Sequence, residues 1–208
     1  MRHAIKTSAL LLAALPLAAC ISFGAEPPPS LLTLTTEAHV APNQPQSSAN
    51  AATILVTVPA VPQKLSVMRV PVQATDTSIA YVKDAQWVEP PAELFARLMA
   101  DAITARTGRV VLSSAQSRID PGSRLAGELR DFGVDAATQE AVVIFDGALI
   151  RDGSNAVEKQ RFEARVPVAA IEAGAVGVAI NQAANQVATQ VADWVGRGSA
   201  AAAPQPAG

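Results

Sequence analysis

The side chains that commonly carry out catalysis are few in this chain of 208 residues, and they are dispersed. His3 falls in the first 19 residues, which we expect to be removed, and His39 falls in a predicted tether, so neither supports a metal cluster or a Ser-His-Asp site. Ser113 and Ser114 follow a predicted strand with no base nearby in sequence. The acidic residues favour a solvated surface over a carboxylate pair for glycoside cleavage: Asp101, Glu128, Asp131, Asp135 and Asp146. We therefore expect no catalytic residue, no metal and no enzyme activity.

The single cysteine, Cys20, is the residue with the clearest chemistry. It ends the run Leu17-Ala18-Ala19-Cys20, after a basic start and a short apolar stretch, a pattern typical of a secretory signal peptide. The stretch is too short for a membrane span, which takes about 20 residues. Leu-Ala-Ala directly before a cysteine resembles the lipobox of bacterial lipoproteins. That resemblance implies cleavage before Cys20, a diacylglycerol on its thiol and an N-acyl chain such as palmitate, with no other cofactor.

The composition divides the chain into four parts. We predict a lipoprotein signal peptide at 1–19, a lipidated cysteine and flexible tether at 20–52, an α+β domain at 53–197 and a disordered tail at 198–208. The tether is rich in Pro, Gln, Asn and Ser and buries too little apolar surface to order itself, although Leu31-Leu32-Thr33-Leu34-Thr35 predicts a short edge strand. The formal net charge of −2 provides no broad basic face for nucleic acid.

The first half of the domain contains a strand, a hairpin and a helix. The β-branched run Thr53–Val58 predicts a strand, and Ser78–Val82 with Gln86–Val88 predicts a hairpin about Lys83-Asp84-Ala85. A helix then begins at Pro90-Pro91, since proline is tolerated in the first turn, and ends before Gly108. Its apolar stripe has helical spacing: Leu94, Phe95, Leu98, Ala102 and Ile103. A short strand, Arg109–Leu112, follows.

The second half predicts three long strands and a closing helix. The strands are Arg124–Asp135, with a bulge near Arg130-Asp131, then Ala141–Arg151 and Val157–Val168, joined by turn residues into an antiparallel meander. The segment Ala175–Val195 has the periodicity of an amphipathic helix. The predicted fold class is α+β, a mostly antiparallel sheet of about five to seven strands with two helices packed on one face.

The segment from Tyr81 to Pro91 is the most distinctive part of the domain. Tyr81 and Trp87 lead directly into Pro90 and Pro91, in a chain with 4% aromatic residues. One interpretation is a core aromatic pair that braces the hairpin against the first helix. The other is a partner-binding surface, because Tyr and Trp are favoured at interface hot spots.

Taken together, these features resemble the ABC-type transport auxiliary lipoproteins, the PqiC-like family. The resemblance rests on the lipobox at Cys20, the Leu31–Leu34 segment, the strand at Ile54-Leu55-Val56, the Tyr81–Pro91 block and the closing meander and helix. It implies a non-catalytic subunit that accompanies an ABC permease, its ATPase and an MCE-domain protein in lipid transport between two membranes.

The resemblance also implies a location facing the periplasm. Ile21 and Ser22 follow Cys20 where an aspartate would suggest inner-membrane retention in enteric bacteria, which favours the outer membrane. Two alternatives remain open: a lipid-binding carrier with a cavity between sheet and helices, and a generic structural lipoprotein or hydrolase of the envelope. A free edge strand of the meander would also allow a homo-oligomer.

Overall fold

Seven strands and two helices make up the part of the chain that the computed structural model describes, residues 28, 30–39, 46–49, 51–113 and 121–197. The strands are β1 (Thr53–Val56), β2 (Arg69–Thr75), β3 (Ser78–Gln86), β4 (Val110–Leu112), β5 (Ser123–Asp135), β6 (Glu140–Ile150) and β7 (Val157–Pro167). The helices are α1 (Pro91–Thr107) and α2 (Ala173–Gly196), and a 3-10 turn spans Gln63–Leu65. The α+β class and the two helices are confirmed. The predicted signal peptide, Cys20, Ser114 and the C-terminal tail lie outside the described residues.

The strands form one mixed sheet around β5. β5 pairs antiparallel with β6 along its whole length, while on its other side β1 pairs parallel with its first residues and β2 pairs parallel with its last residues. β4 pairs parallel with β1, and β3 and β7 pair antiparallel with β2 and β6. The prediction of a mostly antiparallel sheet is therefore wrong. Parallel neighbours need long crossover connections, and a local sequence pattern does not show which strands share an edge.

The β2–β3 hairpin also differs from the prediction. Ser78–Gln86 is one continuous strand, and the turn lies at Asp76-Thr77, where β3 meets β2. The expected turn residue Asp84 does have a positive φ of 56°, but it kinks β3 without reversing it. Asp tolerates this left-handed conformation better than most side chains. β2 is not predicted from the sequence, because Pro71 interrupts its strand pattern; its register with β3 also shifts there.

The two helices follow their sequence patterns closely. α1 begins at Pro91 behind an N-cap at Pro90 and ends at Gly108, whose φ of 66° is the left-handed C-cap conformation. All five residues of its predicted apolar stripe are buried. The meander and its bulge, which falls between Leu129 and Asp131, are likewise confirmed, as is the closing helix α2.

A chain of aromatic rings fills the core between the sheet and the helices. Successive ring centroids lie 5.2 to 6.4 Å apart in the order Trp87, Phe132, Phe95, Phe145, Phe162 and Trp194. Phe95 belongs to α1 and Trp194 to α2, while Phe145 and Phe162 face each other across β6 and β7. Both helices therefore pack on the same face of the sheet, as expected.

Candidate functional site

The described residues offer no candidate metal site. No group of three or more His, Cys, Asp and Glu side chains among them is placed to hold a metal ion. Ser113 is exposed directly after β4. Two of the scattered carboxylates lie next to cations: Asp131 Oδ1 is 3.0 Å from Lys64 Nζ, and Asp135 Oδ2 is 3.9 Å from Arg165 Nη1. Asp131 and Asp135 therefore form ion pairs, whereas the sequence analysis expected only a solvated surface there.

Asp146 is the centre of a group of charged side chains on the face of the sheet that the helices do not cover. Arg161 donates from Nε to Oδ1 at 2.6 Å and from Nη2 to Oδ2 at 2.7 Å, and Arg130 Nη1 lies 3.5 Å from Oδ2. The hydrogen bond from Arg161 holds the pKa of Asp146 below its ordinary value. An open groove of about 600 Å³ runs beside it along Gly127, Gly147 and Ala148. A carboxylate held ionised by arginine is a poor general acid at neutral pH, so Asp146 gives this groove a charged surface and does not serve as its proton donor.

The four candidate residues of the Tyr81–Pro91 block lie in two different environments: Tyr81, Trp87, Pro90 and Pro91. Trp87 is 0% exposed and stacks against Phe132, with ring centroids 5.2 Å apart, and Pro91 is buried in the first turn of α1. Pro90 is exposed. Tyr81 is half-buried, and the guanidinium carbon of Arg69 lies 4.2 Å from its ring centroid. The structure therefore brings Trp87 and Pro91 into the core and leaves Tyr81 and Pro90 available at the surface.

Residues 31–38, which we call the strap, lie against the domain as a short extended segment. Leu32 donates its N–H to the Gln86 carbonyl at 2.7 Å and accepts from the Val88 N–H at 2.9 Å, which adds a single parallel β-bridge beside Trp87. Leu32, Leu34 and Ala38 are partly buried against the core. The edge strand predicted at Leu31–Thr35 is thus reduced to one bridge, and this part of the predicted tether is packed on the fold.

Two asparagines of α2 hold the backbone of the strap. Asn181 Oδ1 accepts from the Thr35 N–H at 2.8 Å, and Asn185 Oδ1 accepts from the Glu37 N–H at 2.9 Å. Asn185 Nδ2 also donates to the Thr35 carbonyl at 2.9 Å. Because Asn181 and Asn185 are four residues apart, they lie on one face of the helix. Their side-chain amides supply the donors and acceptors that a neighbouring strand would provide to the backbone at Thr35 and Glu37. We call this pair the asparagine clamp.

Leu32 packs against α2 at Gly177, where the lack of a side chain leaves room for it. A β-carbon built at Gly177 would lie 2.8 Å from Leu32 Cδ2. Gly177, Asn181 and Asn185 recur every fourth residue, so a single helix face carries the glycine and the clamp. This feature was not predicted from the sequence. The signal that would have revealed it is a glycine and two asparagines spaced four residues apart on an otherwise apolar helix.

A small cleft separates the strap from α1. It has a volume of about 260 Å³ and is lined by Thr33, Leu34, Leu98, Arg97 and Asp101 among others. Burial raises the pKa of Asp101, and the charge of Arg97 opposes that rise. The cleft is too small for a lipid and contains no paired acid and base.

The sequence model of the family described as ABC-type transport auxiliary lipoprotein component matches residues 32–192, so the match begins at the residue where the strap joins the sheet. Among curated proteins, none matches this chain. A crystal structure of a Xanthomonas campestris protein of the DUF330 family has a similar fold, with a TM-score of 0.69 and 21% identity over 83% of this chain and 97% of that one.

Two further solved structures are similar to lower degrees. A crystal structure described as an uncharacterized protein has a TM-score of 0.60 and 15% identity, and the alignment covers 70% of this chain and 93% of that chain. PelC from Paraburkholderia phytofirmans, crystallised as a dodecamer, has a TM-score of 0.38 and 16% identity over 66% and 87% of the two chains. None of the described helices has the length and apolar character of a membrane span. On the extent of the family match, the chain belongs to the ABC-type transport auxiliary lipoprotein component family.

Proposed function

We propose that this chain is a non-catalytic docking subunit of an MCE-type lipid transport system, in which an ABC permease, its ATPase and an MCE-domain protein carry lipid between two membranes. The observation that carries this proposal is the family match over residues 32–192, downstream of the lipobox-like run that ends at Cys20. The charge pattern agrees with it, because Asp131, Asp135 and Asp146 are each ion-paired with lysine or arginine.

The anchor of this subunit is Cys20, carrying a diacylglycerol and an N-acyl chain. Two or three acyl chains hold a protein stably on a membrane, whereas one chain alone binds only marginally. Ile21 and Ser22, and not an aspartate, follow Cys20. This favours the outer membrane, with the domain facing the periplasm. Substituting Cys20→Ala is expected to leave the fold intact and to leave the precursor uncleaved or mislocalised.

The packed interior favours docking over the alternative of a lipid carrier. Phe132, Phe145 and Phe162, with Leu98 and Val187, belong to one buried cluster between the sheet and the helices, where a carrier would need an open chamber. The grooves described above lie at the surface and have small volumes or charged rims. A surface that binds protein partners needs no internal cavity.

Three measurements test this proposal. Mass spectrometry of the mature chain should find the acyl mass on Cys20, and outer-membrane fractionation should depend on that residue; normal fractionation of Cys20→Ala would refute the lipobox assignment. Native mass spectrometry of the soluble domain, from Leu31 onward, should then show protein without bound phospholipid. Stoichiometric phospholipid would refute the docking role and support the carrier.

A further inference from the structure

The strap changes how far the domain can stand from its anchor. Without the strap, the linker between Cys20 and β1 would have 33 residue steps, an r.m.s. reach of about 29–34 Å for a flexible chain. With the strap bound, only 11 steps separate Cys20 from Leu31. Whatever its conformation, a segment of that length spans at most about 35–40 Å, and a flexible chain would average about 17–20 Å.

The strap contacts the domain at several points, so the free part of the linker ends where the strap begins. Its backbone makes the bridge at Leu32 and the clamp contacts at Thr35 and Glu37, and its side chains cover the core at Leu32 and Leu34. Asn185, which makes two of the clamp contacts, is 6% exposed. These two hydrogen bonds of Asn185 are partly buried, and breaking them leaves its amide without those partners, which costs free energy.

Three exposed apolar residues adjoin Leu32 or a residue that Leu32 contacts. Leu31 is 49% exposed and precedes Leu32; Val88 is 45% exposed and donates its N–H to Leu32; Val178 is 73% exposed and follows Gly177, on which Leu32 rests. Single exposed apolar residues are common, but three around one point are a candidate contact surface. We call these three residues the apolar rim.

We propose that the strap fixes the domain close to its membrane and turns the apolar rim toward the lipid surface. This inference rests on the proposed acylation of Cys20. The lipid surface is the occupant of the rim because the chain that leaves Leu31 must reach the membrane within 11 steps. The strap and the first turn of α2 contain no lysine or arginine that would attract an anionic headgroup, so the contact is assigned to the apolar side chains.

The orientation is tested with the full lipidated chain in vesicles of phosphatidylethanolamine and phosphatidylcholine that contain a quencher-labelled lipid. Fluorophores are attached in separate variants, Val178→Cys and Lys159→Cys. Lys159 is the matched control because it is exposed at the opposite end of β7 from the loop that leads into α2. We expect a loss of fluorescence at position 178 and none at position 159. Equal quenching at both positions would overturn the proposed orientation.

The role of the strap is tested by adding the same length of chain on either side of it. A flexible Gly-Ser insert of about 20 residues between Gly24 and Ala25 raises the r.m.s. reach to about 28–33 Å and should reduce quenching at position 178. The same insert between Pro42 and Asn43 should leave quenching unchanged, because the strap isolates it from the anchor. An equal reduction of quenching by both inserts would show that the strap does not limit the length of the linker.

The acyl mass separates this inference from the proposed function. A chain without acyl mass on Cys20 would overturn the proposed anchoring and this inference together. An acylated chain with equal quenching at positions 178 and 159 would overturn this inference alone.

Discussion

Leu32 of the strap lies directly on Gly177 of α2, so that a β-carbon at position 177 would come within 2.8 Å of Leu32 Cδ2. Gly177→Leu should therefore displace the strap and leave the core folded. Exposing Leu32 should cost about 1.5–3 kcal/mol of stability. The higher helix propensity of leucine at position 177, about 1 kcal/mol relative to glycine, offsets part of that cost. We expect hydrogen exchange to rise across residues 31–38 while the global free energy of unfolding falls by at most about 2 kcal/mol.

The control for this substitution is Gly174→Leu. A β-carbon at Gly174 meets no atom within 4 Å, so a larger side chain there should leave exchange in the strap unchanged. A strap that stays protected in Gly177→Leu would contradict the contact between Leu32 and α2.

Asn185→Ala tests the asparagine clamp itself. The substitution removes the acceptor for the Glu37 N–H and the donor to the Thr35 carbonyl. A buried group left unsatisfied costs about 1–3 kcal/mol, and the strap can avoid that cost by opening to water. We expect faster amide exchange at residues 35 and 37, measured by NMR, with unchanged exchange in β5 and β6. Asn185→Asp keeps the acceptor and loses the donor, so the Glu37 amide should stay more protected than in Asn185→Ala.

Asp146 and Asp101 should affect the pH dependence of stability with opposite signs. The pKa of Asp146 is lowered in the folded state by Arg161, so its contribution is present above the unfolded pKa, near 3.8, and is lost as the pH falls through the folded value. The pKa of Asp101 is raised by burial, so its contribution is present below about pH 3.8 and is lost as the pH rises through the folded value.

Urea unfolding between pH 7 and pH 3 measures both effects. Asp146→Asn should be less stable than the parent protein at pH 7 and should converge with it toward pH 3. Asp101→Asn should be as stable as the parent protein, or more so, at pH 7. If Asp146 and Arg161 act as a pair, Arg161→Gln should cause little further loss of stability in a protein that already carries Asp146→Asn. A constant deficit of Asp146→Asn at every pH would contradict the ion pair as its cause.

Trp87→Ala separates core packing from partner binding. Because Trp87 is fully buried on Phe132, the truncation should lower the free energy of unfolding by about 3–5 kcal/mol, measured by chemical denaturation. Trp87 Nε1 has no hydrogen-bond partner among the described residues, so Trp87→Phe should cost less. Pro90→Ala, at an exposed position, should leave stability unchanged. Loss of partner capture by Trp87→Ala at unchanged stability would contradict the packing role.

The elements that the sequence predicts correctly are those whose signals are local. α1 has prolines at its start, an apolar stripe and Gly108 at its end, and each of these acts within a few residues. The meander has alternating strands joined by short turns, and the shift of parity near Arg130-Asp131 marks its bulge. These patterns depend on neighbours in the chain and not on the rest of the fold.

The features that the sequence analysis missed depend on distant partners. β1 and β2 both pair with β5, from which they are separated by α1, and nothing in their own residues specifies that edge. The strap has the composition of a tether, and it is ordered by Asn181 and Asn185, about 150 residues later in the chain. Trp87 likewise looks the same in sequence whether it packs on Phe132 or meets a partner.

The central claim, docking to an MCE-type transporter, is tested most directly by cross-linking the full lipidated chain in intact cells, purifying it and identifying the attached proteins by mass spectrometry. Cys20→Ala serves as the matched control, since it should fold equally well away from the outer membrane. We expect an MCE-domain protein, with or without its ABC permease, to be enriched with the parent chain over this control. Recovery of the folded, acylated chain with neither protein enriched would contradict the account.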